Sequence, residues 1–223
     1  QTPVVILSDQ EIAQRKETVD PIDVSRFEVL ERLRPTSEQL TGGYQRFAET
    51  SSGVSPLSHP GMQGGNYLAA GIEHDVKGAP TASGATHAAM NTKRFRKLAP
   101  LQERSDLFER QGPPDAPIAL VSWGSSAGVA REAFALARAR RLPVKLLIPS
   151  LLYPVAEPVY RAFFASVRGG LVLELSHQGQ LYRVLRMFVD VPPGVTSFAR
   201  SGAQPFRADE VLERLEQQAE ALR

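Results

Sequence analysis

The chain contains no cysteine. Disulfides are therefore excluded, and so is any iron–sulfur cluster held by thiolates of this chain. No apolar run approaches the roughly 20 residues needed to cross a bilayer. The start lacks the basic-then-apolar pattern of a secretory leader. Charge of one sign is also not in excess: 26 Lys and Arg face 24 Asp and Glu, a net +2. No polyanion such as nucleic acid is demanded by that balance. No membrane partner is expected, and with no export signal the expected location is cytoplasmic. Glycine-rich GxGxxG and a P-loop lysine are both missing.

What is present fits a globular protein: 223 residues, 42% hydrophobic and 22% charged. That length allows one large domain or two small ones, with a proper core. Because the sequence opens on Gln1 rather than Met, it reads as part of a longer polypeptide.

Residues 3–7 (PVVIL) form a uniformly apolar run, the pattern of a strand buried on both faces. Ser8 followed three residues later by Glu11 is a capping-box signature, so a short helix over 9–15 should follow. Residues 16–52 are polar and broken by Pro21 and Pro35. Loop with short helical pieces is expected there, with Tyr44, Phe47 and Thr50 free to dock on a neighbouring surface. Residues 53–78 (GVSPLSHPGMQGGNYLAAGIEHDVKG) are too rich in Gly, Pro and His for a regular element and too long for a simple connector. A helix should start near Ser83 or Thr86 and end by Leu98, before Pro100. Residues 102–117, with Gly112, Pro113, Pro114 and Pro117, read as a linker and domain boundary.

From Ile118 the pattern alternates. Strands are predicted over 118–123, 144–148, 171–175 and 195–198. Helices are predicted over 127–140, 157–166, 178–189 and 209–222, the last capped by Asp209 and the second closed by Gly169-Gly170. Strands alternating with amphipathic helices imply βαβ units and a parallel sheet.

Few residues stand out as chemistry. Gly124-Ser125-Ser126-Ala127-Gly128 turns from a strand into a helix. Free N–H groups there suit an anion, or Ser125 or Ser126 simply caps the helix. His59, Glu73, His74, Asp75 and His87 have poor metal-ligand spacing, because adjacent side chains diverge; hydrogen bonds that hold the loop backbone suit them better, and no metal site is expected. The basic run 93–97 (KRFRK) reads as a solvated or subunit-facing surface. Glu174, deep in an apolar strand, needs a partner or an exposed strand end.

Taken in order, LSDQEIAQRKETV, the 53–78 stretch, MNTKRFRKL, the strand–GSSAG–helix with Glu132-Ala133, LELSHQGQLYRVLR and SGAQPFRADEVLERL resemble one protein family. The chain is similar to the C-terminal part of the alpha subunit of 2-oxoacid:ferredoxin oxidoreductases, closest to the 2-oxoglutarate type. The resemblance does not separate 2-oxoglutarate from pyruvate or branched-chain substrates. It implies an enzyme that uses thiamine diphosphate, Mg and an iron–sulfur cluster to turn a 2-oxoacid and CoA into acyl-CoA and CO2, reducing ferredoxin. It implies a three-layer α/β/α domain with a mostly parallel sheet, like the transketolase C-terminal domain, over 118–223. Residues 1–15 would be the last strand and turn of an incomplete pyrimidine-binding domain. Residues 16–117 would be a loop-rich connector, carrying the ordered loop 53–78 and the basic helix 86–98. The beta subunit is the implied partner, and the partners of loop 53–78 are expected mostly outside this chain.

The resemblance assigns no catalytic residue here, and no cofactor is expected on this chain alone. Leu57 stands where relatives often carry Arg. Ser55, His59, Glu73, His74 and Gln180 are candidates for contacts to substrate or across a subunit interface. Gly124, Ser125 and Ser126 are candidates for holding CoA or another anion. An isolated chain is expected to be inactive. The alternative is a free-standing α/β module that binds a nucleotide, CoA or another anion at the 124–128 helix end.

Overall fold

A computed structural model describes residues 1–222, apart from the side chain of Glu11. The capping box expected at Ser8 and Glu11 therefore lies outside the described residues, although helix α1 (Gln10–Gln14) forms where a helix was expected. The chain divides into two compact units. One comprises Gln1–Val4 and Lys16–Ala99, the other Val5–Arg15 and Pro100–Arg223.

The second unit is a five-stranded sheet in the order β1-β3-β2-β4-β5. The strands are β1 (Phe108–Gln111), β2 (Ile118–Ser122), β3 (Val144–Pro149), β4 (Gly169–Glu174) and β5 (Gly194–Ala199). All pairings are parallel except β1 with β3. Each of β2, β3 and β4 is buried along its whole length. A strand covered on both faces has no reason to alternate apolar with polar residues, which is why these read as continuous apolar runs. Along β2, Ile118 and Leu120 point into one core layer while Ala119 and Val121 point into the other. The first layer is closed by α5 (Ser126–Ala139) and α8 (Ala208–Ala221), through Ala130, Ala133, Ala137, Leu212 and Leu215. The second is closed by α6 (Glu157–Phe164) and α7 (Gln180–Phe188), through Val159, Tyr160, Phe163, Leu181 and Leu185. The result is the expected three-layer α/β/α fold with a mostly parallel sheet.

Several local expectations need correction. The predicted linker 102–117 contains β1, whose sequence FERQ has one buried apolar residue, Phe108, and so carries no strand pattern. Gly169 and Gly170 do not close a helix; they begin β4. Gly170 has φ 150°, and a Cβ there would lie 2.1 Å from the Ala119 carbonyl oxygen of the neighbouring strand. Only glycine fits so close to another backbone. Helix α8 starts at Ala208 with Arg207 as its N-cap, and Asp209 sits in the first turn instead of capping. Residues 3–7 form no strand. Val4, Val5 and Ile6 are 81–86% exposed, and no strand among the described residues pairs with them to satisfy their N–H and C=O groups.

The first unit has little regular structure: a 3-10 turn at Val24–Arg26, α2 (Ser37–Thr41) and α3 (Gly84–Arg96). Thr36 and Gln39 make a reciprocal capping box on α2. Ser83 caps α3 by accepting the Thr86 N–H. Short α4 (Ala99–Gln102) follows α3 in the chain. Among the described residues no helix is long and apolar enough to cross a membrane.

Candidate functional site

The chemistry-bearing residues gather in two places, one in each unit. In the first unit they join α3 to the long loop. Lys93, on the inner face of α3, is buried. Its Nζ donates to the Phe47 carbonyl at 2.6 Å and to Ser55 Oγ at 2.5 Å. Ser55 Oγ in turn donates to the Ala48 carbonyl at 2.7 Å. Loss of water around the ammonium, with added repulsion from Lys97, Arg46 and Arg94, brings the Lys93 pKa down to about 8. Glu73 accepts a two-pronged pair from Arg94 (2.7 and 3.1 Å) and a bond from His87 Nδ1 at 2.5 Å. The Arg94 guanidinium is the main reason its carboxyl falls to about 2. Arg96 pairs with Glu49 and also donates to the Thr50 carbonyl at 2.7 Å.

The basic run 93–97 is thus solvated only in part, with Arg94 and Phe95 exposed and Lys93 buried. Lys93 is inserted into the loop, and Arg94 and Arg96 are engaged with carboxylates of their own chain. Every third or fourth position of a helix shares a face, and the face that carries Met90 and Lys93 meets a polar loop rather than water. Loop 53–78 also finds partners within the chain. Tyr44 Oη donates to the Pro56 carbonyl and accepts the Ser58 N–H. Ser58 Oγ donates to the Gly65 carbonyl at 2.6 Å. Asp75 accepts the N–H groups of Lys77 and Ala79, a local turn that holds its carboxyl below the usual range. Phe47 packs on the His74 ring at 3.9 Å, and Thr50 donates to the Val54 carbonyl.

The histidines do not converge. His59 is exposed and contacts the Pro60 carbonyl, while His74 Nδ1 contacts the Asp75 carbonyl at 2.9 Å. Among the described residues no three His, Asp or Glu are placed to hold a metal ion. Of the sequence candidates, Ser55, Glu73 and His74 belong to the loop–helix clasp and His59 stands apart. Lys93, which completes the clasp, was passed over as one member of a basic run. Its signal was its neighbour in the alignment of helix faces, buried Met90 three residues earlier.

The second place is the carboxyl edge of the sheet. Successive crossovers from β2 and from β3 and β4 leave on opposite faces, so the end of β2 is a topological switch point. The Gly124–Gly128 turn lies there. Ser125 is in the helical region with no side-chain cap bond, and Gly124 has φ 60°. Neither expected cap is made, so capping by Ser125 or Ser126 is not what the turn does. Gln180 is the first residue of α7 and is exposed; its N–H goes to Ser176 Oγ at 3.1 Å. The same helix end holds Glu174. This fully buried carboxylate accepts the N–H groups of Leu181 (3.0 Å) and Tyr182 (3.1 Å) and the Trp123 indole N–H (3.3 Å). Glu174 thus caps α7 from the strand, and its charge lies where the helix dipole favours it. Gly179, with φ 65°, lets the chain turn there; a Cβ would lie 2.2 Å from Ser197 Oγ.

No protein-family model matches the chain. It is 27% identical over 221 residues to subunit alpha of 2-oxoacid:ferredoxin oxidoreductase 2 from Aeropyrum pernix, spanning 95% of this chain and 33% of that protein. It is 24% identical over 220 residues to the 2-oxoacid:ferredoxin oxidoreductase subunit alpha of Saccharolobus solfataricus, spanning 96% of this chain and 34% of that one. In structure it matches the 2-oxoglutarate:ferredoxin oxidoreductase from Magnetococcus marinus, solved with 2-oxoglutarate, coenzyme A and succinyl-CoA bound. The TM-score is 0.82 at 30% identity, covering 90% of this chain and 34% of that one. The chain spans about a third of the length of the proteins it matches. In sequence and in fold it is a relative of the alpha subunits of 2-oxoacid:ferredoxin oxidoreductases, matched to them over that third.

Proposed function

We propose that this chain is the part of a 2-oxoacid:ferredoxin oxidoreductase alpha subunit that serves as scaffold and subunit interface. The enzyme would decarboxylate a 2-oxoacid, 2-oxoglutarate in the first instance, form the acyl-CoA and pass two electrons to ferredoxin. The observation that carries the interface role is the set of exposed apolar side chains within residues 4–30, found in each of the two units. Val4, Val5, Ile6, Val19, Ile22, Val24, Val29 and Leu30 are each 73–86% exposed. A chain that leaves this many large apolar side chains in water is built to cover another surface. Residues 1–15 belong, in this reading, to a pyrimidine-binding domain, residues 16–117 to the connector and 118–223 to the transketolase-C-like domain. The beta subunit supplies the facing surface, and ferredoxin is the acceptor.

The residues present do not fit the redox group. With no cysteine in the sequence, an iron–sulfur cluster has no thiolate ligands here. We assign thiamine diphosphate and Mg to other parts of the assembly as well, and derive no step through any of them. The isolated chain is accordingly inactive in this reading.

The test is purification of the protein that carries this sequence, under mild conditions, from its source. A co-purifying second subunit, and CoA-dependent reduction of ferredoxin or a viologen dye by 2-oxoglutarate, support the proposal. A monomer with no such activity alone or in the complex overturns it; equal activity with pyruvate overturns only the substrate.

The uncapped N-terminus of α5 at the switch point favours a second reading, a free-standing module that holds an anion at Gly124, Ser125 and Ser126. A monomer that binds CoA, with affinity lost in Ser126→Asp, would support that reading instead.

A further inference from the structure

The second unit leaves one side of α7 without a cover. The helix buries Leu181 and Leu185 in the core. Val184 and Phe188, one turn apart, are only half-buried at the border of that core, and Met187 is 76% exposed. Spacings of three and four residues put Val184, Met187 and Phe188 on the same side of the helix. Tyr153, 56% exposed, sets its ring edge-on to Phe188 at 6.4 Å and extends the apolar surface beyond the helix. Exposed methionine and aromatic side chains grouped in this way are the mark of a contact surface.

The charges at its two ends say what covers it. Arg183 lies one turn before Met187 on the same side and reaches only Gln178 Oε1, at 3.3 Å. Asp190, exposed and just past the end of α7, has no hydrogen bond or ion pair among the described residues. The surface thus carries an unneutralised cation at one end and an unneutralised anion at the other. The other charges nearby are placed already. Arg161 pairs with Glu157 at 2.8 Å, and Arg186 turns to the other flank, over the Tyr182 ring at 5.6 Å.

We propose that a second copy of this chain covers this surface, its α7 packed antiparallel on the first with Met187 near a two-fold axis. In a two-fold contact one patch serves both sides, so it must complement itself. Antiparallel α7 helices centred near Met187 set Arg183 of each copy against Asp190 of the other. The Val184, Met187 and Phe188 side chains of both copies are then gathered between the two ion pairs. A partner of uniform charge would satisfy only one end, whereas the same surface reversed satisfies both. Parallel packing is disfavoured, because it brings Arg183 against Arg183. The inference goes beyond the enzyme reading and does not rest on it.

Sedimentation velocity of the full chain over a concentration series tests it. A monomer–dimer equilibrium should appear and weaken as salt is raised. Arg183→Asp sets carboxylates against each other and should weaken association about tenfold or more. Asp190→Arg should do the same, and the double variant, with the signs exchanged, should restore it. Met187→Asp should weaken it through the apolar centre. The thermal melt at high dilution should be unchanged in all four, because these exposed side chains hold nothing in the core. A chain that stays monomeric throughout the series overturns the proposal. Association that Arg183→Asp leaves intact also overturns it, since the exposed apolar residues of 4–30 would then be responsible. So does a double variant that fails to recover. None of these outcomes bears on whether a different subunit co-purifies, so failure here and failure of the enzyme reading remain distinct.

Discussion

Lys93 Nζ lies 2.5 Å from Ser55 Oγ, and together they hold two backbone carbonyls, those of Phe47 and Ala48. The second unit repeats the device. Lys145 Nζ donates to Ser166 Oγ and to the Pro114 carbonyl, both at 2.8 Å, and Ser166 Oγ donates to the carbonyls of Pro114 and Ala116. In both, a buried lysine brings donors to loop carbonyls that no strand or helix can satisfy. Replacing Lys93 by Met keeps the volume and removes the donors. The Phe47 carbonyl is then left without its partner, so the first unit should lose about 1–3 kcal/mol. The single tryptophan, Trp123, lies in the other unit. Urea unfolding followed by hydrogen exchange on residues 44–58 should show the loss, and Trp123 fluorescence should show none.

The same lysine gives a pH dependence. Its pKa falls from 10.5 in the unfolded chain to about 8 in the fold. Between those values the unfolded state binds the proton and the folded state does not, so stability rises with pH across that window. A neutral amine still has two N–H donors for its two acceptors, so the clasp survives deprotonation. Hydrogen-exchange protection of the first unit, corrected for intrinsic exchange, should therefore increase from pH 8 towards 10. Lys97, also shifted down by burial, adds in the same direction. In Lys93→Met the rise should shrink; a rise of equal size would show that Lys93 does not cause it.

Glu73 works at the opposite end of the scale. Its carboxyl drops from 4.5 to about 2, chiefly through the Arg94 guanidinium. Its contribution is present above pH 4.5 and is lost as pH falls towards 2. Glu73→Gln should flatten acid unfolding of the first unit over that range. Salt should weaken the effect, because the pair is partly exposed.

Glu174 is the costly residue of the second unit. Replacing it with Leu strands three donors at once, the N–H groups of Leu181 and Tyr182 and the Trp123 indole. A loss of about 3 kcal/mol or more is expected. Glu174→Gln keeps an acceptor oxygen and should cost less. A shift in Trp123 emission in both variants, read alongside urea unfolding, checks the assignment.

The α/β half was legible because its strands are buried on both faces and its helices carry regular apolar stripes; Leu120, Leu146 and Leu173 could hardly lie anywhere but a core. Strand β1 was not, because an edge strand needs only one buried residue to pair. Glu174 read as a problem in the sequence, and its solution depended on which helix began beside the strand end. The clasp was illegible for another reason. Lys93 is separated from Ser55 by 38 residues, and no local pattern announces a pairing across a loop. Ser125 and Ser126 misled in the reverse direction: the residue type fitted a cap, but Ser125, at the cap position of α5, has helical backbone angles and its side chain makes no cap bond.

Tyr160 carries the one buried side-chain polar atom among the described residues that has no hydrogen-bond partner. Its ring lies edge-on to Phe108 at 5.7 Å and stacks on Phe164 at 6.3 Å. Burial pushes its phenol pKa well above the ordinary value of 10. The ring therefore earns its place by packing, while the hydroxyl is desolvated for nothing. Tyr160→Phe removes only that hydroxyl and should leave stability unchanged or raise it by up to about 1 kcal/mol. Tyr160→Ala should cost about 3–5 kcal/mol through the cavity it opens. Chemical denaturation of both variants separates the two terms, and a clear loss in Tyr160→Phe would mean that the hydroxyl has a partner in solution.

The last prediction concerns the exposed apolar side chains of residues 4–30. Val5 and Ile6 are 81% and 86% exposed and touch no core. Replacing both with Asp should leave the melting temperature of the chain within about a degree, since surface changes away from caps and cores are nearly neutral. If these side chains cover a second subunit, the same change buries two charges there without partners. Each would cost several kcal/mol, enough to weaken association by far more than a hundredfold at 1.4 kcal/mol per factor of ten. Co-purification from the source, or sedimentation of the mixed subunits, would show dissociation of the variant. Intact association of the double-Asp protein would remove residues 5 and 6 from the interface and leave the rest of the segment, Val19 to Leu30, to carry it.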